Sequence, residues 1–222
     1  MNRALVIKEL REIGWIVAIG LALYLLLISA LMGINLLWLS ALASQGGVPF
    51  VNDGFYAPFV VVGLGLALGL GFRQSLGDGF RGTWVYLLHR PTERRAIFAT
   101  KMATGIASLI VISALPVVIY GWWAATPGTH ASPFFWSMTA DSWWAIACFS
   151  LAYLGAFFSG LRLARWFGTR LLPLAASLVL YLLATAVTAT FLGYAVASIV
   201  LILVAALFVL TIQHTARLRD FG

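Results

Sequence analysis

Few side chains in this sequence are of a type, or at a spacing, that could carry out covalent chemistry. Ser159 could serve as a nucleophile, but no carboxylate pair and no HExxH metal motif accompanies it. We interpret Ser159 as a residue of helix packing. The three histidines lie in connections or at the end of an apolar run: His89, His130 and His214. We therefore predict that the chain is not an enzyme and has no catalytic residue.

Metal and nucleotide sites are poorly supported too. The single cysteine, Cys148, lies inside an apolar run, so one chain can form neither a disulfide nor a thiolate metal cluster. A Walker A loop needs a lysine followed by Ser or Thr, whereas the only lysines, Lys8 and Lys101, precede Glu and Met. We expect the chain itself to bind no metal, no nucleotide and no other cofactor.

The composition is that of an integral membrane protein. Of the 222 residues, 62% are hydrophobic and only 9% are charged, whereas soluble domains have about 25% charged residues. The basic residues flank apolar runs and form no stripe within a recognition motif. We therefore expect the net charge of +7 to orient the chain in a membrane, and we expect no nucleic-acid partner.

Six apolar runs contain no acidic or basic side chain and are long enough to cross a bilayer as helices. The first is too long for the apolar core of a signal peptide, so we expect it to stay in the protein. The last two together would make a helix of about twice the bilayer thickness, so we predict a turn near Gly193. A single all-α transmembrane domain then occupies residues 1–222, with spans at about 13–39, 56–72, 102–124, 143–161, 171–190 and 194–212.

The absence of charge within these runs bears on function. Proton- or sodium-coupled transporters, redox pumps and voltage sensors need ionisable groups at membrane depth. We therefore expect none of these activities.

Charge in the connections predicts the orientation of the chain. All 14 Lys and Arg residues occur in the N-terminal segment, the second and fourth connections and the C-terminal tail. The other connections contain no Lys or Arg, and their only charged residues are Asp53 and Asp141. By the positive-inside rule, both termini and the second and fourth connections are cytoplasmic.

The second span carries several glycines, and Gly65 and Gly69 have the GxxxG spacing that lets two helices approach closely. Two partners fit this pattern: another helix of the same chain, or a helix of a second subunit.

The second connection has a helical pattern of its own. Gly77 and Gly79 interrupt the chain before it, and Pro91 ends it. Apolar residues between them recur at i, i+4, i+7 and i+8, one face of a short amphipathic helix over residues 80–89: Phe80, Trp84, Leu87 and Leu88. Such a helix could lie on the lipid surface, anchored by Trp84, or dock a cytoplasmic partner.

The N-terminal residues interleave apolar and charged side chains in a similar way. This pattern predicts an amphipathic helix that lies along the inner membrane surface before the first span. Its central residues are Lys8, Glu9, Leu10, Arg11 and Glu12.

Together with six spans and two cytoplasmic termini, these segments resemble the permease subunits of ABC exporters of the ABC-2 type. The resemblance rests on the amphipathic start at residues 8–12 and on a pattern that follows the second span. That pattern is an acidic residue, Gly-Thr, a Leu pair, a Pro, Arg residues and a Lys at the foot of the third span: Asp78, Gly82, Thr83, Leu87, Leu88, Pro91, Arg94, Arg95 and Lys101.

The resemblance implies that this subunit forms the translocation path of an exporter while a separate cytoplasmic ABC ATPase uses ATP and Mg. The amphipathic helix of the second connection would be a coupling helix that docks on this ATPase. A second copy or a related permease would complete the transporter in the inner membrane of a bacterial cell. The implied docking residues are Phe80, Arg81, Gly82, Thr83, Trp84, Leu87 and Leu88.

Apolar spans favour an apolar or amphipathic cargo, such as a lipid, peptide or drug. Two other functions stay open. The chain could be a membrane anchor or assembly protein that docks a cytoplasmic partner without transport, or an intramembrane enzyme in which Ser159 and His214 would be the residues to test.

Overall fold

The computed structural model describes residues 3–34, 47–80, 94–129, 133–162, 166–187 and 191–218. Within these ranges the chain is helical and contains no strand. A 3-10 helix, Trp136–Thr139, directly precedes the fourth α-helix. The α-helices in chain order are α1 Arg3–Leu31, α2 Tyr56–Phe80, α3 Arg94–Ala125, α4 Ala140–Leu161, α5 Phe167–Val187 and α6 Phe191–Leu218.

Each of these six helices is long and apolar enough to cross a membrane. A helix satisfies its backbone hydrogen bonds internally, which a lipid environment requires. The prediction of an all-α, multi-pass membrane protein is confirmed for the described residues. The cytoplasmic position of the termini stays a prediction.

The first helix begins and ends earlier than the sequence suggested. α1 includes residues 3–12 without a break, so a separate surface helix before the first span is not confirmed. After Leu31 the Ile34 amide donates to the Ser29 carbonyl (2.9 Å) and the Gly33 amide to that of Ala30 (3.2 Å). This is a Schellman motif, and Gly33 has the left-handed φ of 79° that the motif requires. Residues 35–39 of the predicted span lie outside the described residues.

The last two apolar runs form two separate helices, but the boundary between them is not at Gly193. α5 ends at Val187 and α6 begins at Phe191, so Gly193 lies within the first turn of α6. Residues 188–190, between the two helices, lie outside the described residues.

Contacts divide the chain into two compact units, each built from segments of several helices. Unit 1 comprises Met1–Gly14, Ala67–Ala107 and Ser150–Gly222, and unit 2 comprises Trp15–Leu66 and Ser108–Phe149. All 14 Lys and Arg residues fall within the ranges of unit 1. The segregation of charge that predicts the orientation therefore coincides with the division into units.

Unit 2 contains an aromatic core around a buried carboxylate. Asp53 accepts hydrogen bonds from the Tyr120 hydroxyl (2.6 Å) and from the amides of Phe50 (3.1 Å) and Phe55 (3.0 Å). The rings of Phe50 and Phe55 lie 4.7 Å apart, and Tyr120 stacks on Phe55 at 5.5 Å. Three donors offset the cost of burying this charge, so Asp53 ties the segment before α2 to α3.

In unit 1, α4 and α5 pack through small and polar residues. The buried Ser159 hydroxyl accepts a hydrogen bond from the Leu174 amide (3.1 Å), directly after Pro173. A side chain at Gly155 would collide with Ser177 on α5. The interpretation of Ser159 as a helix-packing residue is confirmed.

Burial differs sharply among the helices. In the spanning segment of α4, 78% of the residues are buried inside the protein, against 17% for α5 and for α6. α4 is thus the most buried of the six helices, whereas α5 and α6 are mostly exposed.

Candidate functional site

Four helices of unit 1 bring buried polar side chains together, and we call this set the polar cluster. Every member is at most 5% exposed. Charged groups buried in apolar surroundings are strongly destabilising unless they are paired and hydrogen-bonded. The cluster consists of Glu9 on α1, Gln74 on α2, Lys101 and Thr104 on α3, and Tyr153 on α4.

Helical periodicity places Glu9 on the buried face of α1. Buried positions recur at i, i+4, i+7 and i+11, which lie on one side of a helix. They are Glu9, Ile13, Ile16 and Gly20. The next residues, Leu10 and Arg11, are exposed. The same apolar stripe that buries α1 therefore carries the Glu9 carboxylate into the protein.

Lys101 lies on the buried face of α3 for the same reason. Its stripe continues with Gly105, Leu109 and Ile112 at i+4, i+8 and i+11, all buried. Lys101 is the eighth residue of α3, about 10 Å along the axis from the start of the helix. A buried ammonium group needs a partner within the protein.

The partner of Lys101 is Glu9. The Lys101 Nζ lies 2.8 Å from Glu9 Oε1 and donates a hydrogen bond to Oε2 at 3.0 Å. Both side chains have no exposed surface. Lys8, which is one-third exposed, lies 3.6 Å from Glu9 Oε1 and 3.4 Å from Glu12 Oε1. Glu9 and Lys101 therefore form a close, fully buried ion pair. Lys8 is a second, more distant and partly exposed partner of Glu9.

Gln74 joins this ion pair to two further helices. Its Nε2 donates to the Lys101 carbonyl (3.1 Å) and lies 3.4 Å from Glu9 Oε2. Its Oε1 accepts a hydrogen bond from the Tyr153 hydroxyl at 2.6 Å. The Thr104 hydroxyl lies 3.5 Å from Nε2 and donates to the Thr100 carbonyl (2.8 Å). The amide of one α2 residue thus bridges α1, α3 and α4.

Two glycines make room for these contacts. A Cβ at Gly105 would collide with Gln74 Oε1 and with the Tyr153 hydroxyl. A Cβ at Gly71 would lie 2.7 Å from the Tyr153 carbonyl oxygen and 2.9 Å from the Phe157 amide nitrogen. Both of these contacts at position 71 are with backbone atoms, which cannot move aside. The close approach of α2 to α4 therefore requires glycine at position 71.

The arrangement is suited to holding helices together. The two charges cancel, and attraction across 2.8 Å corresponds to about 6 kcal/mol at an effective dielectric constant of 20, offset in part by desolvation. Removing one partner would leave an unpaired charge inside the protein. The described residues contain no group of three or more His, Cys, Asp or Glu side chains that could hold a metal ion.

This ion pair was not predicted from the sequence. We predicted only that the spans begin after the charged residues and contain none. Glu9 and Lys101 lie near the N-terminal ends of α1 and α3, two helices that are long and apolar enough to cross a membrane. The sequence did contain an indication: the stripe Ile13-Ile16-Gly20 extends back by one turn onto Glu9, and the stripe of α3 extends back onto Lys101.

The other predicted site residues have different outcomes. The docking residues Arg81, Gly82, Thr83, Trp84, Leu87 and Leu88 lie outside the described residues, and Phe80 ends α2 with its side chain outside them. Of the N-terminal set, Glu9 is buried, Leu10 and Arg11 are exposed, and Lys8 and Glu12 are half-buried.

Within the described residues, two glycines of α2 that we did not single out, Gly63 and Gly71, pack closely against another helix. A Cβ at Gly63 would collide with the Phe149 ring on α4, and Gly71 also faces α4. A Cβ at Gly65 would meet no atom within 4 Å. The Gly65 end of the predicted Gly65–Gly69 pair therefore packs on nothing within the described chain, and a contact with a second subunit stays a prediction.

Comparison with known proteins adds no assignment. No protein-family model, no curated protein and no solved structure matches the chain significantly. Any function must therefore be proposed from the chain's own residues.

Proposed function

We propose that the chain is the membrane-spanning permease subunit of an ATP-driven exporter of the ABC-2 type. In this proposal the six helices form the path for an apolar or amphipathic substrate. A separate cytoplasmic ATPase hydrolyses ATP and docks on the connection between α2 and α3. The chain itself has no catalytic role.

The observation that carries the proposal is the pairing of Glu9 with Lys101. The resemblance to ABC-2 permeases rests on two segments far apart in the sequence, the charged N-terminal start and the connection that ends in Lys101. One residue from each segment meets the other in a buried ion pair, 92 positions apart. The two segments thus meet in one structural feature, which supports reading them together as one motif.

The position of the polar cluster in the chain suggests a mechanical role for it. Gln74 lies six residues before the end of α2, and Lys101 lies seven residues after the start of α3. These two residues therefore flank the connection on both sides. A force applied to the connection would act on both helices, and the hydrogen bonds of Gln74 would pass it to α1 and α4. Packed helices with fixed polar contacts move as rigid elements in such transitions.

A second permease copy, or a related permease, completes the proposed transporter. The outward position of Gly65 and the largely outward surfaces of α5 and α6 leave helix faces available for such a partner. Small residues on a membrane helix permit close contact between subunits. Membrane lipid would cover the remaining surface.

Affinity purification in mild detergent tests the proposal. We expect a soluble protein with a Walker A motif to co-purify with the chain, and its repeated absence under conditions that retain other membrane complexes would contradict the proposal. The next measurement is ATP-dependent movement of lipid-like substrates in proteoliposomes. An ATPase that binds without any substrate movement would favour the alternative, a membrane anchor or assembly protein.

A further inference from the structure

An open groove between the start of α3 and the end of α6 combines basic, polar and apolar side chains. Its volume is about 390 Å³. It lies entirely within unit 1. The groove is lined by Arg95 from α3 and by Leu210, Thr211, Gln213 and His214 from α6.

The polar lining suits an anion. Arg95 presents a guanidinium group with several N–H donors, the usual partner of phosphate oxygens. Gln213 and His214 add an amide and an imidazole that can donate hydrogen bonds. Arg95 also lies in the first turn of α3, where the helix dipole favours negative charge. Among the described residues no carboxylate lines the groove.

An apolar stripe leads away from this polar end along α6. Leu203, Leu207 and Leu210 are 63%, 65% and 65% exposed. Together with His214 they follow the spacing i, i+4, i+7 and i+11, so all four lie on one side of the helix. In a membrane this stripe faces acyl chains, and at its end lies the Arg95 groove.

We propose that this groove binds the headgroup of an anionic glycerophospholipid whose acyl chain lies along the leucine stripe. The bound molecule comes from the surrounding bilayer leaflet. Charge complementarity selects a phosphodiester with net negative charge, and basic pockets between membrane helices at the cytoplasmic side are suited to such headgroups. The inference does not require the proposed transport function. No residue of the polar cluster lines the groove, and Arg95 is the one described lining residue that also belongs to the family-like pattern.

The apolar stripe distinguishes a lipid from a free phosphate. Inorganic phosphate would use only the donors at the polar end and would gain nothing from the leucines. A phospholipid also has its chains already in the bilayer, so the site needs to select only the headgroup. The proposed ligand is therefore a lipid, and phosphatidylglycerol serves as the probe.

Native mass spectrometry of the purified full-length chain provides the test. The protein is exchanged into mixed micelles that contain equal amounts of phosphatidylglycerol and phosphatidylcholine, and the ratio of the two bound lipids is measured. We expect the wild-type protein to retain phosphatidylglycerol in excess. Arg95→Gln should lower this preference about fivefold, the usual effect of one basic residue at an anionic membrane surface. The Arg95→Gln/His214→Gln variant should abolish it.

Arg94→Gln is the matched control. It removes the same charge from the same helical turn, but Arg94 does not line the groove. We expect it to keep the wild-type lipid ratio to within about twofold, as fits a charge outside the binding groove. Because Arg94, Arg95 and His214 are all exposed, helical content by circular dichroism should be unchanged in every variant.

Three outcomes would overturn the proposal. The first is an equal loss of preference in the Arg94 and Arg95 variants, which would indicate a diffuse surface charge. The second is an unchanged ratio in the Arg95→Gln/His214→Gln variant. The third is displacement of the lipid by millimolar inorganic phosphate, which would assign the groove to a free anion.

Discussion

Breaking the Glu9–Lys101 ion pair by a single substitution should strongly destabilise the folded chain. Lys101→Met leaves the Glu9 carboxylate buried without its closest counter-charge, which lies 2.8 Å away in the wild-type protein. Removal of one partner of a buried pair typically lowers the free energy of unfolding by about 3–5 kcal/mol. We expect a loss in this range for Lys101→Met and a loss of about 2–4 kcal/mol for Glu9→Gln, because the amide oxygen can still accept from Nζ.

The double variant Glu9→Gln/Lys101→Met should be more stable than either single variant. It removes both charges, so no unpaired ion stays inside the protein. Replacing a whole buried pair by neutral residues of similar volume is often close to neutral. We expect a total loss of about 1–2 kcal/mol, which gives a coupling energy of at least about 3 kcal/mol between the two positions.

Lys8→Met is a matched control for this cycle. Lys8 is the only other lysine, and it lies 3.6 Å from the same carboxylate, but one-third of its side chain is exposed. Partly exposed pairs contribute at most about 1 kcal/mol. We therefore expect Lys8→Met to have little effect, both alone and in combination with Glu9→Gln.

Reversible unfolding in mixed micelles, followed by the fluorescence of the nine tryptophans, measures all of these values. Additive losses at positions 9 and 101 would refute the reasoning, since they would show that the two side chains do not interact. Equal losses for Lys8→Met and Lys101→Met would refute it as well.

Substitutions of glycines on α2 and α3, and of the predicted docking residues, provide further tests. Gly105→Ala should lower the free energy of unfolding by about 1–3 kcal/mol, because a Cβ there collides with the amide and phenol of the polar cluster; mixed-micelle unfolding measures it, and an unchanged midpoint would count against the geometry. Gly63→Val should destabilise the isolated chain through its clash with the Phe149 ring on α4. Gly65→Val should leave the stability of the isolated chain unchanged and weaken subunit association. Unfolding measures the first effect and cross-linking the second, and identical behaviour of the two variants would contradict the predicted difference between these positions. Trp84→Ala and Leu87→Ala should each lower stimulation of the partner ATPase without preventing membrane insertion, and unchanged stimulation in both would argue against docking at this connection.

Hydropathy and length predicted the six membrane helices because lipid imposes both requirements on any spanning segment. They did not predict where the helices end. The apolar run continues past Gly33, but this residue adopts φ 79° and stops α1 with a Schellman motif. Glycine just after a periodic stretch was the relevant indication. Hydropathy alone could not detect it, since the residues on both sides are equally apolar.

The partners within the polar cluster were beyond the reach of the sequence. Periodicity does place Glu9 and Lys101 on the buried faces of their helices. Their pairing, however, depends on how α1 and α3 are rotated relative to each other, and no local rule relates residues 92 positions apart. The bridging role of Gln74 depends in addition on the position of α4.

The glycines of α2 illustrate the same limit. Four of them lie within nine residues, at positions 63, 65, 69 and 71, and look alike in the sequence. Only the packing of α2 against α4 shows that positions 63 and 71 face a neighbour and that position 65 does not. A GxxxG spacing thus indicates that close contact is sterically possible without identifying the partner.

Site-specific photo-crosslinking from position 84 tests the proposed function most directly. A photoreactive amino acid in place of Trp84 is activated in living cells, and the cross-linked partner is identified by mass spectrometry. Docking of an ATPase on the connection between α2 and α3 predicts a covalent link to a soluble protein that contains a Walker A motif. Links to lipid alone, or to proteins without a nucleotide-binding motif, would contradict the account.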